Sequence, residues 1–419
     1  MEIDGVQIGR QRTPGSEEEL ASVMREASDS GRSVIPVGCA TRLHLGNPPR
    51  SADLAVYTGR LNGIVEYEPG NLTVSVLAGT PLRDLQATLR AQHQFLPLDP
   101  PHLDRSSVGG IVACNDSGPI RFRYGTVRDM LIGTRIVHAD GSRTKAGGKL
   151  VKNVTGYDMC KLYTGSLGTL GILTELTFKV QPLPEAIATV SVSYPSLPAA
   201  LEATQACLRA DLMPDAIEAW NRKAYESLAG EEVVAPWVLL VRFGDADAAV
   251  RWQVDRLRKM APGNGGEVLN ALGTEESEEF WHRAARAREN AGSGEELLLK
   301  CSVLHHSAAD TGRRMGEMGE RLRARLLLFC HAGTCILYGR YEWAGGECNA
   351  DDLRREIADL RRHCVSAGGH LVVEKIRPGW KQGLDVWGYQ APALDLMRRI
   401  KTQFDPKDIL NPGRFVGEI

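Results

Sequence analysis

The 419-residue sequence contains no apolar run approaching the ~18–20 residues needed to cross a bilayer. Its N-terminal stretch, MEIDGVQIGRQRTPGSEEEL, has neither the basic n-region nor the apolar h-region of a secretory leader. No sign of charge is in surplus: 50 Lys and Arg against 52 Asp and Glu leave a formal net charge of -2. That balance provides no electrostatic footprint for a phosphate backbone, so nucleic acid is not the expected partner. Nine cysteines are scattered without a CxxC pair, which argues for isolated thiols in a reducing compartment and against a disulfide scaffold or an iron–sulfur cluster within this chain. No GxxxxGK[ST] loop occurs, and the first lysine is Lys145, so a Walker-type nucleotide site is excluded. Repeats and low-complexity linkers are absent too. These absences predict a cytoplasmic, globular chain that could meet a membrane only through partners. With 43% hydrophobic residues it can build two or three cores.

Glycine is what the chain has in excess. There are 44, and 12 of them fall within residues 99–171. A backbone loosened that often either turns tightly or lets a ligand approach the main chain. Around this tract the first third reads as α/β. Ser16 and Glu19 form a capping box before an amphipathic helix to about Gly31, and an apolar strand Ser33–Val37 enters Gly38. Strands over 63–68 and 72–77 follow, and Thr80-Pro81 are the expected N-cap and first residue of a helix. Asp140-Gly141 joins a hairpin of 131–139 and 142–145, and a strand over 171–180 is stopped by Pro182 and Pro184. Beyond Pro184 strands at 187–194 and 237–243 alternate with helices at 197–210, 246–260, 274–288 and 351–367, which predicts a second α+β or α/β domain. A last amphipathic helix over 391–404 leads into Asp405-Pro406 and Asn411-Pro412-Gly413-Arg414-Phe415.

Three glycine segments could carry chemistry. Pro36, Val37, Gly38, Cys39, Ala40, Thr41 and Arg42 follow a strand. Successive backbone N–H groups there can make a nest for a pyrophosphate, although the residues alone leave a plain tight turn open. The second segment is Ser106-Ser107-Val108-Gly109-Gly110, with Gly125-Thr126-Val127-Arg128-Asp129 after it. The third is Lys152-Asn153-Val154-Thr155-Gly156-Tyr157-Asp158, then Gly165-Ser166-Leu167-Gly168-Thr169-Leu170-Gly171-Ile172. Three glycines in seven positions are hard to ascribe to a regular element, where each costs about 1 kcal/mol. Backbone contact with a flat, polar ligand accounts for them better.

In this order the segments resemble the FAD-binding domain of the vanillyl-alcohol oxidase and p-cresol methylhydroxylase type, over residues 14–184. The C-terminal Gly383–Gly388 stretch and the Asn411-Pro412-Gly413 turn look like the end of the FAD-binding subunit of bacterial glycolate oxidase. The resemblance implies an α+β fold: a two-subdomain FAD-binding domain over 1–184, an α/β cap domain over 185–368, and a segment 369–419 that packs back toward the flavin. It implies that 38–42 bind the FAD pyrophosphate. Ser107, Val108, Gly109, Gly110, Gly125, Arg128 and Asp129 would line the flavin and ribityl. Gly165, Ser166, Gly168, Gly171 and Ile172 would contact the nucleotide, and Asn411 would be a polar contact to the flavin. Some relatives attach the flavin to a histidine in the first loop. That position is Thr41 here, so FAD is expected to be held non-covalently.

Catalytic relatives, the FAD-linked D-lactate and glycolate dehydrogenases, carry two further motifs. His-x-Gly-Asp-Gly-Asn-x-His, whose histidines help bind a divalent metal, is matched only by His331-Ala332-Gly333-Thr334-Cys335-Ile336-Leu337-Tyr338. Gly-Glu-His-Gly, whose histidine handles the substrate proton, is replaced by a segment in which Lys375 takes that position. No metal site is therefore expected, and catalytic residues stay unassigned, with Lys375, Tyr338 and Tyr157 as candidates. His282, His305 and His306 read as satisfied or exposed rather than as ligands. Arg42, Arg121, Arg123 and Arg377 could pin a carboxylate, or simply make surface ion pairs. The expectation is a flavoprotein subunit supporting oxidation of a small 2-hydroxy acid, with a catalytic FAD subunit and an iron–sulfur subunit as partners. A stand-alone FAD-dependent 2-hydroxy acid dehydrogenase and a non-catalytic FAD-domain scaffold are the alternatives.

Overall fold

In a computed structural model of the chain, which describes residues 2–148, 156–287, 295–343, 348–388 and 392–419, the elements gather into two compact units. The first holds the residues up to 117, 125–183 and 381–419; the second holds 118–124 and 184–380. The segment Lys152–Thr155 and the expected helix start at Ala391 lie outside the described residues.

The first unit is built on two sheets. In the smaller, Leu54–Tyr57 lies between Arg10–Arg12 and Val34–Val37 and runs parallel to both. Pro36 is tolerated because its strand is at the edge, where a missing N–H breaks no ladder. The larger sheet is antiparallel, in the order 143–147, 131–137, 172–179, 73–77, 64–68. Between them lies the helix Glu17–Ser30. Ser16 Oγ accepts the Glu19 N–H at 3.1 Å, and the Glu19 carboxylate reaches back to the Gly15 N–H at 2.6 Å rather than to that of Ser16. Its apolar residues recur at helical spacing, so Leu20, Ala21, Met24 and Ala27 fall on one face. That face packs on Val34, Leu54 and Val56 of one sheet and Val137 and Ile172 of the other, with Ile409 and Leu410 filling the same core. Burying a side chain such as Leu20 or Met24 contributes roughly 1.5–3 kcal/mol. Ile409 O accepts the Val34 N–H at 2.7 Å, and the Asn411 N–H donates to Val34 O at 2.8 Å. The C-terminus is thereby stitched to a strand that opens 375 residues earlier.

The expected Thr80 N-cap is displaced by one residue. The helix Leu82–Arg90 begins after Pro81, and the Thr80 hydroxyl accepts the Gly63 N–H at 2.9 Å instead.

In the second unit eight strands form one sheet, every pairing antiparallel, in the order 267–272, 186–194, 237–245, 216–221, 325–331, 336–343, 295–302, 370–375. Leu327, Phe329 and Tyr338 share a face with Trp220 and pack against Phe280 and Ala284 of the helix Thr274–Ala287. Alternation sends Leu328 and Leu337 to the opposite face, under the helix His305–Arg321 at Gly312. The segment 118–124 is tied in by Arg123, which meets Asp215 at 3.0 Å, Asp245 at 3.1 Å and Gly244 O at 2.9 Å. The predicted return at residue 369 begins later, at Lys381, because His370–Lys375 pairs with Glu295–Ser302 as the edge strand of this sheet.

Candidate functional site

The first unit contains a solvent-open cleft spanning about 830 Å³, part of it open solvent. It is walled by the loop after the strand Val34–Val37, the helix Val108–Cys114, the 166–173 turn and the C-terminal turn at Asn411 and Arg414, with Thr58 and Ala78 between them. Of the expected cofactor contacts, Pro36, Val37, Gly38, Cys39, Ala40, Thr41, Arg42, Ser107, Gly109, Gly110, Ser166, Gly168, Gly171, Ile172 and Asn411 all line it.

The glycines are there for close approach. A Cβ on Gly38 would fall inside van der Waals distance of Ser107 Oγ. Ser107 cannot easily give way, because that oxygen caps its helix by accepting the Gly110 N–H at 3.3 Å. Gly168 has φ +70°, and its Cβ would stand 3.0 Å from Pro36 Cγ. The two loops are thus pressed together at positions without side chains, leaving backbone at the cleft surface.

The polar groups point the same way. Arg42 is paired with Asp116 at 2.9 Å. Asn411, 3% exposed, donates its amide to Leu167 O while its carbonyl oxygen Oδ1 has no hydrogen-bond partner. A buried acceptor left open beside a cleft calls for a donor from a ligand. The C-terminal turn that carries it is clasped by Lys401, whose ammonium donates to Asp405 at 2.6 Å, Leu410 O at 2.8 Å and Thr169 O at 3.0 Å. A second clasp is Lys381, bonded to Asp4 at 2.6 Å and to His44 O at 2.8 Å.

Five expected contacts stand outside the wall. Val108 is buried in its helix, and Gly165 sits behind the wall with its N–H on Val112 O. Gly125, Arg128 and Asp129 belong to a tight cap, where the Asp129 carboxylate takes the Thr126 N–H at 2.8 Å and its hydroxyl at 3.0 Å. Those bonds, the N–H first, hold the Asp129 carboxyl below its ordinary value. Conversely, the sequence reading did not single out Leu43, Leu45, Thr58, Ala78, Ala113, Cys114, Leu167, Leu173 and Arg414, although Leu167 and Arg414 lie in the 165–172 and 411–414 segments it assigned to FAD. The Asn411-Pro412-Gly413-Arg414 motif was the available signal for the last.

None of the catalytic candidates lines this cleft. Tyr157 is 95% exposed. Tyr338 and Lys375 belong to the second unit. Tyr338 is packed in its aromatic core, and Lys375 is 3.1 Å from Glu296. Beside Tyr338, ring to ring at 5.1 Å, His331 sets Nδ1 2.9 Å from buried Glu218, whose other oxygen accepts Trp220 Nε1–H at 3.1 Å. His305 and His306 are exposed. Among the described residues no three His, Cys, Asp or Glu side chains gather as a metal site would need, and no helix is long and apolar enough to cross a membrane.

A cleft with glycine-lined backbone, one open buried acceptor and a basic C-terminal turn fits FAD, a flat ring system joined through a pyrophosphate to a second base. Comparison with known proteins agrees. Residues 11–147 match the model of the FAD binding domain, and residues 183–371 and 387–415 match that of the C-terminal domain of FAD linked oxidases. Glycolate oxidase subunit GlcD of Bacillus subtilis is 27% identical over 421 residues, covering 96% of this chain and 87% of that protein. Glycolate oxidase subunit GlcE of Escherichia coli is 42% identical over 168 residues, 40% of this chain and 47% of that protein. Among solved structures, alkyldihydroxyacetonephosphate synthase shares the fold with a TM-score of 0.74 at 18% identity, over 97% of this chain and 77% of that one. With its two domain types matched in order and the second covering more than half of its length, the chain belongs to the FAD-linked oxidases, an oxidoreductase whose cofactor is FAD.

Proposed function

We propose that this chain is a flavoprotein subunit of a glycolate oxidase-like complex. It holds FAD non-covalently and supports oxidation of a small 2-hydroxy acid, while a catalytic FAD subunit and an iron–sulfur subunit act as partners. FAD, when bound, supplies a two-electron acceptor; the protein's part is to bind it, orient it and set its electrostatic surroundings.

One observation carries this reading: the cofactor cleft is fully built, while the positions at which catalytic relatives place histidines are occupied by groups committed elsewhere. Tyr338 is enclosed among Phe329, Leu298 and Leu327. Lys375 is engaged by Glu296 at 3.1 Å rather than presented to a substrate hydroxyl. Likeness to subunits named for glycolate oxidase supports the assembly and the substrate class.

A second reading, a stand-alone FAD-dependent 2-hydroxy acid dehydrogenase, draws on His331. Its imidazole is held against a buried carboxylate, an arrangement that orients a base in other enzymes. Absorption spectra of the purified chain separate the readings. A yellow protein whose flavin is not bleached by glycolate or D-lactate until the partner subunits are added supports the subunit reading. Bleaching, or glyoxylate formation with a dye and no partner, would establish the stand-alone enzyme, and a colourless protein would leave only a scaffold.

A further inference from the structure

Among the described residues, two that line the cleft carry charge, Arg42 and Arg414. Arg42 is neutralised by Asp116. Arg414 is 4% exposed, its terminal nitrogen donates to the carbonyls of Leu43 and Leu45, and its Nε has no partner. No carboxylate among the described residues pairs with it. Asp4, whose field it feels, is already taken by Lys381 at 2.6 Å. Burial pushes the guanidinium down from its ordinary value, but an arginine guanidinium keeps its charge in proteins. Its main chain is anchored as well, the backbone oxygen accepting the Asn47 N–H at 3.0 Å and the Trp387 indole N–H at 2.9 Å. The cleft wall therefore carries one fixed, buried positive charge without a counter-ion, a condition proteins rarely keep unless an anion arrives.

We propose that Arg414 is the counter-cation for the FAD pyrophosphate. The inference rests on the reading that this cleft holds FAD. Arg414 grips the carbonyls of Leu43 and Leu45, so its charge lies at the end of the same loop whose Gly38–Arg42 backbone faces the cleft. The loop supplies N–H dipoles, Arg414 supplies the full charge, and together they compensate a diphosphate.

The test is FAD titration of the FAD-depleted full chain, wild type, R414Q and R414K, at low and high ionic strength, with ADP and riboflavin as competing probes. R414Q is expected to weaken FAD and ADP binding about tenfold or more and to flatten the salt dependence, as loss of a charge-assisted contact does. Riboflavin, which has no phosphate, should bind R414Q and wild type alike, and R414K should recover most of the FAD affinity. FAD-free R414Q should be at least as stable as FAD-free wild type, because the uncompensated cation is gone. A merely structural arginine would do the reverse, lowering the stability of the FAD-free protein while FAD affinity and its salt slope stay unchanged, and that result overturns the proposal. So would a shift in flavin midpoint potential with unchanged FAD affinity, which would place the charge at the ring. Should R414Q fail to fold, wild-type FAD affinity that does not fall with salt overturns it equally. If wild type binds no FAD at all, the cleft assignment itself is what fails.

Discussion

Replacing Gly38 with alanine tests the cleft at its tightest point. Gly38 does not use left-handed backbone, so alanine adds no torsional strain, and the whole effect comes from one methyl group meeting Ser107 Oγ. Two responses are open. Ser107 can rotate away, surrendering the cap it gives the helix Val108–Cys114, which costs about 1 kcal/mol. Or it can stay, and the loop shifts at the roughly 1–3 kcal/mol typical of overpacking. G38A should therefore lose roughly 1–3 kcal/mol, about 2–4 °C in Tm per kcal/mol for a unit of this size. FAD affinity should fall as well, since the displaced loop is cleft wall. The mechanism is exposed by a double-mutant cycle. S107A alone loses the cap at about 1 kcal/mol but removes the clashing oxygen, so G38A/S107A should be no less stable than S107A. Thermal unfolding of the four proteins, with FAD fluorescence as a second probe, decides the matter. If the two single losses simply add, or if G38A matches wild type, the close-approach argument is refuted.

Other outcomes follow from the buried charges. K401M strands the buried Asp405 carboxylate beneath the C-terminal turn and should cost roughly 3–5 kcal/mol in urea unfolding; a loss under about 1 kcal/mol would mean the clasp is dispensable. R123A leaves Asp215 with Arg242 alone. Burial pushes the Asp215 carboxyl up, with Arg242 and Arg123 pulling it back, so removing Arg123 raises it further. An acid whose folded-state pKa is raised contributes stability at low pH and loses it as pH rises through that value. The R123A penalty should accordingly grow between pH 4 and pH 8, and a penalty that is flat or shrinks with pH contradicts the assignment. Finally, G168A combines a left-handed φ of +70° with a Cβ 3.0 Å from Pro36, and should lose roughly 1–2 kcal/mol together with FAD affinity, read by thermal shift with and without FAD.

The elements that were legible carry local signals. Ser16 and Glu19 announce a helix start, Asp140-Gly141 a hairpin, and 187–194 a strand by alternation; each depends on neighbours within a few positions, and the structure has all three. The glycine segments were legible as cofactor backbone for the same reason, since a chain that gives up side chains at Gly38 and Gly168 records where something must come close. What the sequence could not show is which charges meet. Glu218 and His331 become a pair only through the register of two strands more than a hundred residues apart. Lys375 was only a weak candidate at the base position, and the edge-strand pairing places it beside Glu296. Arg414 read as one residue of a turn, and its isolation depends on Lys381 having already claimed Asp4 from the far end of the chain. By itself the sequence determined the elements with strong local signals and the kind of ligand, because backbone propensity and close approach are written in consecutive residues, whereas six of the eight strands in the second unit's sheet went unread. Tertiary structure alone decided where an uncompensated charge is left, because charge compensation is a property of everything packed around a group.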